Sequence, residues 1–140
     1  MKTTVKWKGR RSFQGTTETG HSVLMDGPVK FGGDDTGPRP MELLLVGLGG
    51  CTAYDVVSIL EKKRLDIIGL KVEIDADRTD THPKIYSEIR VHFIISGRNI
   101  SEKAVQQAID LSEKKLCSAS AMLRKSANIV TTYEIQELKS

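Results

Sequence analysis

Cys51 and Cys117 are the side chains of this sequence with the widest chemistry open to them: nucleophilic attack, oxidation and thiol–disulfide exchange. They lie far apart in the chain, with no C-x-x-C pair and no companion histidine at ligand spacing. Neither a structural zinc site nor a disulfide scaffold fits that pattern. In a reducing compartment both rest as free thiols. Cys51 sits in an apolar run, where a free cysteine behaves by default as a small buried hydrophobe. Cys117 stands where a helix is expected to begin, and unpaired N–H groups there stabilise a thiolate and lower its pKa. The preceding Lys114 and Lys115 add to that if they turn toward the sulfur.

Other chemical-looking features read as structural. His21, His82 and His92 fall on a strand, a hairpin loop and a polar strand face, with no i, i+4 pair and no nearby carboxylate cluster, so no metal site is expected. Asp34-Asp35 lacks the alternating ligands and closing Glu of a calcium loop. Gly47-x-Gly49-Gly50 lies inside a helix instead of opening one after a strand, which argues against a phosphate cradle. No cofactor is expected. Asp55 is the lone charge of an apolar helix and, being costly if unpaired, is expected to be hydrogen-bonded or ion-paired.

The sulfurs are carried by two helical regions among strands. Residues 3–8 alternate Thr3, Val5 and Trp7 with Thr4, Lys6 and Lys8; residues 13–16 form a weak second strand, and residues 21–25 a third, closed by Asp26-Gly27-Pro28. This third of the chain reads as a small antiparallel meander. Residues 28–39, rich in Gly, Pro and Asp, make a loop that is either a solvated connector or a functional segment. Pro40 opens a helix to about Lys63, with Glu42 in its electropositive first turn. Apolar residues surround its axis, which predicts burial on every side, and Gly47, Gly49 and Gly50 predict close approach of another backbone. At about 100° per residue, Cys51 shares a face with Leu44, Leu48, Asp55 and Ser58.

Residues 71–78 and 85–96 alternate as a hairpin joined through residues 79–84. Ser101 caps a second helix with core face Val105, Ala108, Ile109, Ser112 and Leu116; residues 118–125 form a short helix and residues 129–135 a last strand. The order β-β-β-α-β-β-α-α-β is an α+β architecture in a single domain over residues 1–140. With 37 Leu, Ile, Val and Phe in 140 residues, the chain can bury one core, which excludes intrinsic disorder. A net charge of +3 in short mixed runs argues against a nucleic-acid partner. The longest uncharged stretches, residues 43–54 and 56–60, fall short of a bilayer span, so no transmembrane helix is expected. The first residues do not lead into an apolar signal region, which points to the cytoplasm.

The run Pro40-Met41-Glu42-Leu43-Leu44-Leu45-Val46-Gly47-Leu48-Gly49-Gly50-Cys51, followed by the hairpin, the helix and Cys117-Ser118-Ala119-Ser120-Ala121-Met122-Leu123, resembles the OsmC/Ohr family. That family comprises the osmotically inducible protein C and organic hydroperoxide resistance proteins. The likeness extends over essentially the whole chain, and its most specific feature is one cysteine in each of two central helical regions. It implies an intertwined homodimer with antiparallel sheets around central buried helices and active sites at the subunit interface. It also implies a thiol-dependent peroxidase for organic hydroperoxides, with a stress and detoxification role. Cys51 would become a sulfenic acid and Cys117 would resolve it as a Cys51–Cys117 disulfide. An external dithiol, such as a lipoyl-bearing protein, would then reduce that bridge. Apolar walls from Leu44 and Leu48 would favour alkyl or lipid hydroperoxides over hydrogen peroxide.

Two positions depart from the family pattern. Its hydroperoxidases carry a Glu directly after the Pro and an Arg from an N-terminal segment. Here Met41 follows Pro40, and Glu42 lies about 180° from Cys51 on continuous helix, where it serves the helix start. Candidates for the Arg are Arg10, Arg11 and Arg39, with Arg39 nearest the loop and helix mouth. The departures mark a divergent branch, for which two other functions stay open: a module that binds a small hydrophobic ligand, and a redox sensor whose disulfide forms without turnover.

Overall fold

The predicted succession of strands and helices is realised in the computed structural model, which describes residues 1–139. The protein is α+β with two three-stranded sheets, and it divides into two compact units, Met1–Val46 and Gly47–Ser140.

In the first unit, β1 (Thr3–Gly9), β2 (Ser12–Thr17) and β3 (Ser22–Met25) form the antiparallel meander that alternation predicts. The loop that follows contains a 3-10 turn, Val29–Phe31, and folds around the carboxylate of Asp26. That carboxylate is buried and accepts from the amides of Gly27 (2.7 Å), Asp34 (3.3 Å) and Thr36 (3.2 Å) and from the Thr36 hydroxyl (2.6 Å). Led by the Thr36 hydroxyl, these bonds hold the Asp26 carboxyl down at about 2, against an opposing push from burial. Only glycine fits at Gly33, because a Cβ there would lie 2.1 Å from the Gly27 carbonyl oxygen. The loop is thus solvated over most of its length yet tied at Gly27, Asp34 and Thr36 to one buried carboxylate.

Helix α1 (Pro40–Lys62) begins as predicted. The Arg39 amide donates to Glu42 Oε1 at 2.8 Å, so Glu42 serves the helix start. Its buried residues are Leu48, Thr52, Val56 and Leu60, one stripe at every fourth position. Burial on every side fails within one chain, since Val46 is 66% and Tyr54 76% exposed. Within the chain itself no other backbone approaches these glycines: Gly47 and Gly50 face open space, and Gly49 meets the side chain of Ile74 at 3.2 Å. Counting uncharged runs stopped at Asp55, yet α1 as a whole is long and apolar enough, by length and composition alone, to cross a bilayer. Core helices pass the same test, and only 22% of this helix's most apolar window is buried by its own chain.

In the second unit, β4 (Asp66–Arg78) and β5 (Tyr86–Arg98) form the long hairpin, and β6 (Asn128–Glu137) adds beside β5 in parallel. This sheet is mixed, not antiparallel as the family likeness implied. A parallel neighbour needs a crossover, which α2 (Glu102–Leu111), a π-helical turn (Ser112–Leu116) and α3 (Ser118–Leu123) supply. Ile89, Val91, Phe93 and Ile95 alternate into the core. On the outer face Arg90 binds Asp75 (2.8 Å), Asp77 (3.0 Å) and Glu88 (2.7 Å). His92 lies beside β6, where its ring nitrogens meet Thr132 Oγ1 at 2.7 Å and Glu134 Oε1 at 3.1 Å. Ser101 caps α2 by accepting from the Ala104 amide at 3.2 Å. Val105, Ala108, Ile109 and Ser112 are buried as predicted, but Leu116 is exposed because the π turn shifts the phase of the last residues.

Candidate functional site

Cys51 precedes Thr52, a member of the buried stripe of α1, so it stands at the edge of that stripe and is partly exposed. Cys117 is placed by the π turn, which closes with its amide donating to the Ser112 carbonyl at 2.8 Å. The residue then becomes the N-cap of α3, its sulfur accepting from the Ser120 amide at 3.4 Å. The two thiols, both free, lie beside each other, the Cys51 sulfur close enough to raise the Cys117 thiol. The fold thus brings together the two residues singled out in the sequence.

Cys117 is 2% exposed. Burial, first, and the neighbouring Cys51 push its thiol up, while the contacts with Ser120 pull the other way. A depressed pKa was expected from the helix start, and the structure reverses it. A helix N-terminus contributes about 0.3–1 kcal/mol and α3 has only six residues, whereas full burial moves a group by up to about 3–5 units. Lys114 and Lys115 bring no relief; they are exposed and line a surface hollow with Gln107, Asp110 and Leu111.

A buried polar chain lies beside the sulfurs. Ser112 donates to Asp55 Oδ2 at 2.9 Å and meets the Thr52 hydroxyl at 2.9 Å. Asp55 is hydrogen-bonded, as its burial cost predicted. Leu48 lies in the core and Leu44 is half exposed. Among the described residues, no group of three or more His, Cys, Asp or Glu is placed to hold a metal ion.

The candidate arginines lie in the first unit. Arg10 pairs with Asp34 at 3.3 Å, Arg39 with Asp35 at 2.7 Å, and Arg11 donates to the Arg10 carbonyl at 3.2 Å. Arg11 and Arg39 also line an apolar cavity of about 450 Å³ with Phe13, Met25, Pro28 and Phe31. In the second unit a hollow of about 460 Å³ runs along the open flank of α1, lined by Gly50, Ala53, Tyr54, Val57 and Leu70. Sequence reasoning missed Asp26 as a loop anchor and Ser112 as more than a core-face residue. The signal for Ser112 was present: two polar residues, Ser112 and Asp55, each stood at a position predicted to be buried.

Two three-stranded sheets with helices, carrying a thiol pair at the end of the long helix's buried stripe, define a known class. The chain belongs to the OsmC-like protein family, whose pattern matches residues 32–132. Protein YhfA of Escherichia coli (strain K12) is 42% identical over 135 residues, spanning 96% of this chain and 98% of that protein. A hypothetical protein from Aquifex aeolicus VF5 superposes with a TM-score of 0.86 at 33% identity, covering 99% of this chain and 97% of that one. An organic hydroperoxide resistance protein OsmC from Legionella pneumophila shares the fold with a TM-score of 0.71 at 15% identity, covering 96% and 97%.

Proposed function

We propose that this protein is a homodimeric, cofactor-free thiol peroxidase acting on organic hydroperoxides. The observation that carries the reading is the closeness of the Cys51 and Cys117 thiols, one residue partly exposed and the other buried. Cys51, the partly open sulfur, attacks the terminal oxygen of the hydroperoxide as its thiolate. The O–O bond breaks, the alkoxide leaves with a proton as an alcohol, and sulfur is oxidised to sulfenic acid. The Cys117 sulfur, deprotonated at that step, displaces water from the sulfenic acid and forms a disulfide. An external dithiol such as a lipoyl group restores both thiols by two exchange steps and is itself oxidised. The substrate class is supported by the name of the Legionella relative. The dimer is supported by the apolar residues that α1 leaves uncovered, Val46 and Tyr54 among them. A reducing cytoplasm suits two thiols that must be regenerated.

The test is consumption of cumene hydroperoxide with dihydrolipoamide as reductant. Turnover by the native protein and its loss in Cys51→Ser is the expected result; equal inactivity of the two overturns the enzyme reading. A second reading, a redox sensor, is favoured by one observation: burial raises the Cys117 thiol, which slows resolution. Under that reading one equivalent of hydroperoxide yields the Cys51–Cys117 bridge while steady-state consumption stays at background.

A further inference from the structure

We infer that Ser112 is a positioning residue for the thiol pair: anchored on Asp55 and Thr52, it sets how Cys117 meets Cys51 and hence how readily the two form a disulfide. The inference rests on the proposed use of this pair, though not on the identity of the oxidant.

Ser112 has no solvent exposure and one hydroxyl proton. That proton is donated to Asp55 Oδ2 at 2.9 Å. The Thr52 hydroxyl must then donate to Ser112 Oγ, which gives a chain of fixed polarity, Thr52 to Ser112 to Asp55. Both anchors sit on α1 next to the first sulfur: Thr52 follows Cys51 directly, and Asp55 lies one turn beyond. The backbone of Ser112 is committed to the second sulfur, since its carbonyl accepts the Cys117 amide across the π turn. The path Cys51, Thr52, Ser112, Cys117 therefore runs through two backbone links and one side-chain link, and the contact between the sulfurs closes it. The Thr52–Ser112 link is the one that a substitution can cut while leaving both sulfurs in place.

Disulfide geometry makes this consequential. Bridged cysteines tolerate only a narrow range of Cβ separation, roughly 3.5–4.5 Å, so small displacements of the π turn change the fraction of productive encounters. Cutting the link frees the turn and strands the buried Thr52 hydroxyl and the partly buried Asp55 carboxylate.

The experiment equilibrates the full-length protein in glutathione redox buffers at neutral pH and quantifies the Cys51–Cys117 bridge by alkylation and mass spectrometry. In this exchange the two protein thiols are oxidised as one glutathione disulfide is reduced to two glutathiones. Ser112→Ala and Asp55→Ala are each expected to lower the effective concentration of the pair at least about tenfold, a shift of about 30 mV for this two-electron couple. Asp55→Asn, which keeps an accepting oxygen, is expected to stay within about twofold of the native value. Values within twofold for both alanine variants, even with a lower melting temperature, overturn the inference. So does an equal fall in Asp55→Asn, or a native protein that forms no bridge in the most oxidising buffer. If Ser112→Ala does not fold, the contrast between Asp55→Ala and Asp55→Asn decides alone. A native protein that forms the bridge but consumes no hydroperoxide removes the peroxidase reading and leaves this one standing.

Discussion

Cys117 is sealed from solvent and its sulfur lies beside that of Cys51, a residue that remains partly exposed. Under the proposed function that asymmetry gives the two sulfurs different roles, and it can be probed directly.

Because burial raises the Cys117 pKa, less of it is thiolate at any given pH than in an ordinary cysteine. Its alkylation by iodoacetamide should be slower than that of glutathione at neutral pH and should climb only in the alkaline range. Cys51→Ala removes one of the raising contacts and should move the profile back toward neutrality. A Cys117 that alkylates at neutral pH as fast as glutathione would contradict the assignment.

The two cysteines should fail differently. Cys51→Ser is expected to abolish hydroperoxide consumption, by at least about a hundredfold if it removes the attacking thiolate. Cys117→Ser should still react once and accumulate a sulfenic acid on Cys51 that dimedone traps. Dimedone labelling on residue 117 of the Cys51→Ser protein, with retained turnover, would reverse the roles.

Asp26 is a carboxylate held at about 2 by the loop wrapped around it. Its folded pKa lies below the ordinary value of about 4. It therefore contributes stability that is fully present above about pH 4 and is lost as the pH falls toward about 2. Denaturant midpoints measured down this range should drop in the native protein and flatten in Asp26→Asn, which should also melt several degrees lower at neutral pH. Identical pH profiles for the two proteins would remove Asp26 from this role.

The open flank of α1 predicts a cover. Tyr54→Asp, at a side chain 76% exposed in one chain, should cost a monomer almost nothing yet weaken self-association by at least about tenfold. Light scattering across a dilution series checks this, and an unchanged native monomer would show that the flank is not covered by a second copy.

Phe93 has no solvent exposure and faces the core from the middle of β5. Phe93→Ala should destabilise the fold by about 3–5 kcal/mol, read from urea denaturation. A cost below about 1 kcal/mol would mean that the core of the second unit lies elsewhere.

Much of the architecture was legible because it follows from local periodicity. The hairpin of β4 and β5 was visible in strict alternation, the cap of α2 in Ser101, and the start of α1 in Pro40 and Glu42. The π turn was not legible, since its insertion into a helical pattern leaves no change of composition. That single irregularity exposed Leu116 and placed Cys117. The burial of α1 was overread because hydrophobicity reports what a helix avoids and not which molecule covers it.

By itself the sequence determined the order of elements and the presence of two uncommon thiols on two helical regions, because periods of 2 and 3.6 residues are written into side-chain polarity. Only the tertiary structure decided that the thiols lie together, that burial raises the Cys117 thiol where the helix start alone would lower it, and that Ser112 spans the distance between Asp55 and Cys117. Each of these depends on burial and on contacts across more than fifty positions of chain, and desolvation and long-range hydrogen bonds have no local signature.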